Sequence, residues 1–152
     1  MADVLFMVGF FNNPALVDGE ENHVTVLQNF SVPDQNMEKF LTLTEETLAG
    51  QESFSITPEG EANLSGYDTV LIRHNPELIE LHRNLCTTVT VCDGVLNRFS
   101  RQHYKPHVTG WVSPATAKVT ELTLVHHAGG LMNDIRILRT YPLVNPGSVF
   151  HA

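Results

Sequence analysis

Two segments of this chain carry the same three residues about half its length apart: Asn22-His23-Val24-Thr25-Val26 and Lys105-Pro106-His107-Val108-Thr109. Both lie in β-favouring surroundings, and on a strand positions i and i+2 face the same side. His23 and Thr25 then look out together while Val24 turns inward, and His107 and Thr109 look out while Val108 turns inward. The pattern calls for two strands, each with a dry face and a working face. If those strands face each other, two imidazoles and two hydroxyls surround one cleft. That is a set of parts for cutting a phosphodiester without a metal. One His-x-Thr is a weak motif, and the matched pair carries the signal.

A chain of 152 residues is most simply one domain, 1–152, long enough for its own core. Hydrophobic residues at 42% and charged ones at 17% suit a globular protein rather than a disordered one. No apolar run is long enough to span a bilayer, and Asp3 before the apolar run Val4 to Phe11 argues against a signal peptide. Cys86 and Cys92 lack zinc-finger or CxxC spacing and are expected to be packed free thiols in a reducing compartment, the cytoplasm. A net charge of −8 opposes binding to long nucleic acid. The charge is uneven: residues 1–66 hold one base and 11 acids, residues 67–152 hold 8 bases and 6 acids. The second half, with His107, is the better home for a small anion.

Val4 to Phe11 predicts a strand buried on both faces, and His23 to Phe30 a second. Pro33-Asp34 opens a helix in which Met37, Phe40, Leu41, Thr44 and Leu48 form one stripe, with Gly50 as its stop. Phe54 to Ile56 and Asp68 to Arg73 are strand candidates, joined through Pro58-Glu59-Gly60. Asn75-Pro76-Glu77 starts a second helix, Leu78, Leu81, Leu85 and Val89 give it a buried stripe, and Asp93-Gly94 breaks it. His107 to Val112 is the next strand, Ser113-Pro114-Ala115 a turn. Val119 to Val125 and Ile135 to Leu143 read as a hairpin around Ala128-Gly129-Gly130.

The chain resembles the 2H phosphoesterase superfamily, which includes 2′-5′ RNA ligase-like proteins and cyclic nucleotide phosphodiesterases. The resemblance rests on His23-Val24-Thr25, on Lys105-Pro106-His107-Val108-Thr109, and on the Leu81-His82-Arg83-Asn84-Leu85 helix between them. It implies an α+β fold with pseudo-two-fold symmetry: two antiparallel sheets lining a central cleft, with helices outside. It implies catalytic roles for His23 and His107 and phosphate-binding roles for Thr25 and Thr109. Many members carry Leu where this chain has Gly110, and some carry Arg where it has Trp111 or Val112. Phage members that degrade cyclic-oligonucleotide alarms of the host belong to the same family.

An imidazole titrates near pH ~6.5, so one ring can take a proton from the attacking oxygen while the other gives one to the leaving oxygen. Trp111 shares parity with His107 and Thr109 and is a candidate for stacking on a base. Tyr104 either reaches the ligand or anchors the segment before its strand. Arg73 and Lys105 are candidate phosphate cations, as is Arg101. His74, His82, His126, His127 and His151 suit surface or capping roles. No cofactor is implied. A metal on His23, His103 and His107 is a minor alternative, since no acidic ligand is spaced to complete it. The expected activity is a metal-independent phosphodiesterase acting on a 2′,3′-cyclic phosphate, a 2′-5′-linked or a cyclic oligonucleotide. The alternative is a non-catalytic nucleotide-binding module, and the oligomeric state is open.

Overall fold

The protein is seen here as a computed structural model that describes residues 4–11, 22–64, 67–97, 100–101, 104–109, 116–127 and 135–145. Nine strands and two α-helices are described: β1 (Val4–Phe11), β2 (Asn22–Phe30), α1 (Met37–Leu48), β3 (Phe54–Ile56), β4 (Pro58–Leu64), β5 (Tyr67–Ile72), α2 (Pro76–Val91), β6 (His107–Thr109), β7 (Ala117–Val119), β8 (Glu121–His127) and β9 (Ile135–Pro142). The α+β expectation holds, and every described strand pair is antiparallel. The strands form a four-stranded sheet in the order β2-β1-β8-β9, a three-stranded sheet β4-β5-β6, and the small pair β3-β7. None of the described helices is long and apolar enough to cross a membrane.

The apolar run of β1 is explained by its place between β2 and β8. In β2 the alternation is broken on purpose. The register steps from Val8↔Thr25 to Met7↔Leu27, so Val26 is an extra residue in that strand. As a result Val26 and Leu27 are buried side by side, while His23 and Thr25 stay half-buried on the other face.

Both helices form as the sequence predicts. Asn75 caps α2, its side chain accepting from the Leu78 N–H at 3.2 Å, with Pro76 following at the first helical position. Leu78, Leu81, Leu85 and Val89 are buried against the core. Phe40 of α1 meets Phe30 of β2 with ring centroids 5.5 Å apart, and α2 packs on both α1 and β2. The hairpin expected from the last two apolar runs is present as β8 and β9. Its first run is split at Thr120, because β7 pairs with β3 while β8 pairs with β1 and β9.

One expectation is corrected. Pro58-Glu59-Gly60 was assigned to a connection, but these residues open β4. Pro58 takes the first position, and β4 is the edge of its sheet, where a missing N–H costs little. The expected turn at Ser113-Pro114-Ala115 and the tip Ala128-Gly129-Gly130 lie outside the described residues.

Gly94 is needed where α2 ends. A Cβ there would stand 2.6 Å from the Ser31 carbonyl oxygen and 2.6 Å from Val89 Cγ1. Ser31 is bridged to Val95, so the backbone has little room to move. Gly94→Ala should cost about 1–3 kcal/mol through overpacking, lowering Tm by several degrees in a thermal melt. An unchanged Tm would show that the Ser31 strand end can yield.

Candidate active site

β6 forms the edge of its sheet, with Leu71↔His107, Val70↔Val108 and Thr69↔Thr109 paired across to β5. β2 forms the edge of the other sheet, and β2 and β6 lie against one another. The parity of both motifs follows the sequence reading: Val24 and Val108 are fully buried, while His23, Thr25 and His107 are half-buried. The Thr109 side chain, and Gly110 and Trp111 altogether, lie outside the described residues.

The two imidazoles sense each other. Burial holds His23 below the ordinary histidine pKa, and the charge of His107 lowers it further. Burial and a neighbouring positive ring both disfavour the charged form, so the arrangement favours a neutral His23. His107 is oriented by its own strand: Nδ1 lies 2.8 Å from the Lys105 carbonyl oxygen. A carbonyl can only accept, so Nδ1 carries a hydrogen, and Nε2 is left as the nitrogen that takes or gives a proton.

Tyr104 and His82 fasten β2 from its free edge. Tyr104 is buried, and its hydroxyl donates to the Thr25 carbonyl at 2.7 Å. This is the anchoring role considered for Tyr104, with its hydroxyl committed to the backbone of the first motif. Burial pushes that phenol well above its ordinary pKa, so it stays a donor. His82 lies 1% exposed, its ring stacked on Tyr104 with centroids 4.0 Å apart and planes 8° from parallel. Its Nδ1 donates to the Val26 carbonyl at 2.7 Å, and its Nε2 accepts the Arg101 N–H at 2.8 Å. Both bonds are satisfied only by the neutral ring, and burial lowers its pKa accordingly. Arg101 holds a left-handed backbone, φ 63°, to deliver that N–H, a conformation that costs a non-glycine residue about 1–2 kcal/mol.

His82 therefore departs from the surface or capping role expected for it. The signal was present: Leu78, His82, Cys86 and Val89 recur at i, i+4, i+8 and i+11, which places His82 on the apolar face of α2. Arg73 and Lys105 are both exposed, and continuing the β5–β6 register sets them opposite each other at one end of the sheet. His103 and His151 lie outside the described residues, so the minor metal alternative involves a residue not described here. Among the described residues, no three of His, Cys, Asp and Glu converge as a metal site requires.

The sequence model of the 2′-5′ RNA ligase superfamily matches residues 11–113, which include both motifs. No curated protein matches the chain. Solved structures share the fold at low identity. LigT of E. coli, complexed with 3′-AMP, is 18% identical with a TM-score of 0.65, covering 95% of this chain and 100% of that one. TT0787 of Thermus thermophilus is 13% identical with a TM-score of 0.66, covering 94% and 99%. Usb1 of Kluyveromyces marxianus is 8% identical with a TM-score of 0.60, covering 92% and 98%.

Two outcomes test the fastening of β2. Tyr104→Phe strands the Thr25 carbonyl and should cost about 1–3 kcal/mol in a denaturant melt, whereas an unchanged midpoint would mean the bond holds nothing. The pH dependence has a definite sign. Burial lowers the folded pKa values of His23 and His82 below the ordinary histidine value of ~6.5, so the stability they contribute is complete above that pH and is lost as pH falls below it. The urea midpoint should drop between pH 7.5 and 5.5, and drop less in His82→Asn, which keeps a donor but does not titrate. An equal drop in both proteins would contradict this assignment.

Proposed function

Because the chain belongs to the 2′-5′ RNA ligase superfamily, we propose that it is a metal-independent 2H phosphodiesterase of small nucleotides, with His23 as general base and His107 as general acid. The reading is supported by one placement: β2 and β6 lie against one another, with Val24 and Val108 buried and His23 and His107 left half-buried, near enough for the charge of His107 to add to burial in lowering the His23 pKa. The 3′-AMP, ATP and phosphate found in structures of LigT support a ligand of nucleotide size.

The chemistry follows from the protonation states. The neutral imidazole of His23 takes the proton of the nucleophile, a ribose 2′-OH or a water, as its oxygen bonds to phosphorus. The opposite P–O bond breaks, and His107 passes its Nε2 proton to the leaving oxygen. One proton enters at His23 and one leaves from His107, so the pair keeps its total charge. The Thr25 and Thr109 hydroxyls donate to the non-bridging oxygens, where negative charge accumulates. Trp111 stacks on a base, and Arg73 and Lys105 add positive field at the mouth. Tyr104 contributes by holding the Thr25 backbone. The substrate class is a 2′,3′-cyclic phosphate, a 2′-5′-linked or a cyclic oligonucleotide. Cys86 and Cys92 are buried free thiols among the described residues, in keeping with a cytoplasmic site of action.

A panel of cyclic di- and trinucleotides, 2′-5′ dinucleotides and 2′,3′-cyclic mononucleotides tests this. Turnover should survive EDTA. His107→Ala should lower it by about 10²–10⁴-fold, and full retention of rate would end the two-histidine mechanism. The acid limb of kcat/KM should fall below the ordinary ~6.5, because the base is the ring whose pKa is depressed. A limb well above that value would reverse the acid and base roles.

A further inference from the structure

Away from the His-x-Thr motifs, a cavity lies along α2. It has a volume of about 510 Å³, within the ~300–1,000 Å³ usual for small-ligand sites. His74, Arg83, Thr87 and Arg101 line it, together with the stacked rings of His82 and Tyr104. Neither His23 nor His107 reaches it.

Charge sets this cavity apart. The chain carries a net charge of −8, yet the lining holds two guanidinium groups and two imidazoles, His74 and the neutral His82, with no carboxylate among them. A neighbouring hollow shares His74 and Arg83, and there Glu80 is the only acid. Among the described residues, no carboxylate forms an ion pair with Arg83 or Arg101. The Arg101 guanidinium is also placed in advance, donating to Thr90 Oγ1 at 3.2 Å. Its backbone is locked in turn by the N–H bond to His82 at 2.8 Å. The Arg101 fork, the exposed Arg83 on α2 and the His74 imidazole line one cavity and make a donor set suited to the three oxygens of a phosphomonoester.

We propose that this groove along α2 is a second anion site, which takes a small phosphomonoester independently of the catalytic cleft. The proposal does not rest on the phosphodiesterase reading, because binding here needs neither His23 nor His107. The bound group is the phosphate itself, and a nucleoside attached to it would add only apolar contact in the groove.

The experiment separates the two sites by mutation and the two ligand sources by probe. Inorganic phosphate and AMP are titrated calorimetrically into a His23→Ala/His107→Ala protein, and into the same protein carrying Arg83→Ala or Arg101→Gly. Arg83 is exposed on its helix, so its replacement leaves the core untouched. Arg101→Gly keeps the N–H on His82 and suits the positive φ, while removing the whole side chain and with it the guanidinium. The expected result is saturable binding in the cleft-deficient protein, weakened about tenfold or more by either arginine change and further weakened by salt. AMP binding more tightly than phosphate would assign a nucleotide ligand, and equal binding a bare phosphoryl group. Loss of all binding in the cleft-deficient protein, or affinity unchanged by both arginine substitutions, would overturn the proposal.

Discussion

The free edge of β2 is held by two hydrogen bonds to consecutive carbonyls, Tyr104 to Thr25 and His82 to Val26. A sheet edge with unsatisfied carbonyls buried under a helix would be costly. Here the two donors come from a stacked ring pair, one ring on α2 and one just before β6. The bonds therefore tie the first His-x-Thr strand to the segment that leads into the second. The extra residue at Val26 makes this possible, since it turns the strand locally while keeping His23 and Thr25 on one face.

From that tie the electrostatics follow. β2 and β6 are edges of separate sheets, and among the described residues no backbone ladder joins them. They lie against one another all the same, and the charge of His107 adds to burial in lowering the His23 pKa, so one positive charge is tolerated more easily than two. The two positioning rings are held in fixed protonation states. Burial keeps His82 neutral and Tyr104 protonated, so both remain in the states their hydrogen bonds require.

Much of this was legible in the residues. His23, Val24 and Thr25 announce a strand with two faces by simple alternation, and the cap Asn75-Pro76 and the leucine stripe announce α2. Alternation did not reveal the bulge, because consecutive Val26 and Leu27 look like any apolar pair until the partner strand sets the register. β4 was hidden because Pro58, Gly60 and the two glutamates Glu59 and Glu61 read as a connection, while an edge strand tolerates all of these. His82 was hidden for a different reason. A histidine on an apolar helix face gives no sign of which carbonyl it will meet, and both of its partners are remote in sequence. Trp111 and the Thr109 side chain lie beyond what the structure describes, so their places in the cleft stand as proposals.

The central claim is that the rings of His23 and His107 share one cleft. Histidine NMR titration reads this without any substrate. The resonances of His23 should titrate below the ordinary histidine value, and His107→Ala should raise that pKa while leaving it depressed by burial. A His23 pKa indifferent to the loss of His107 would place the rings in separate surroundings and contradict the account.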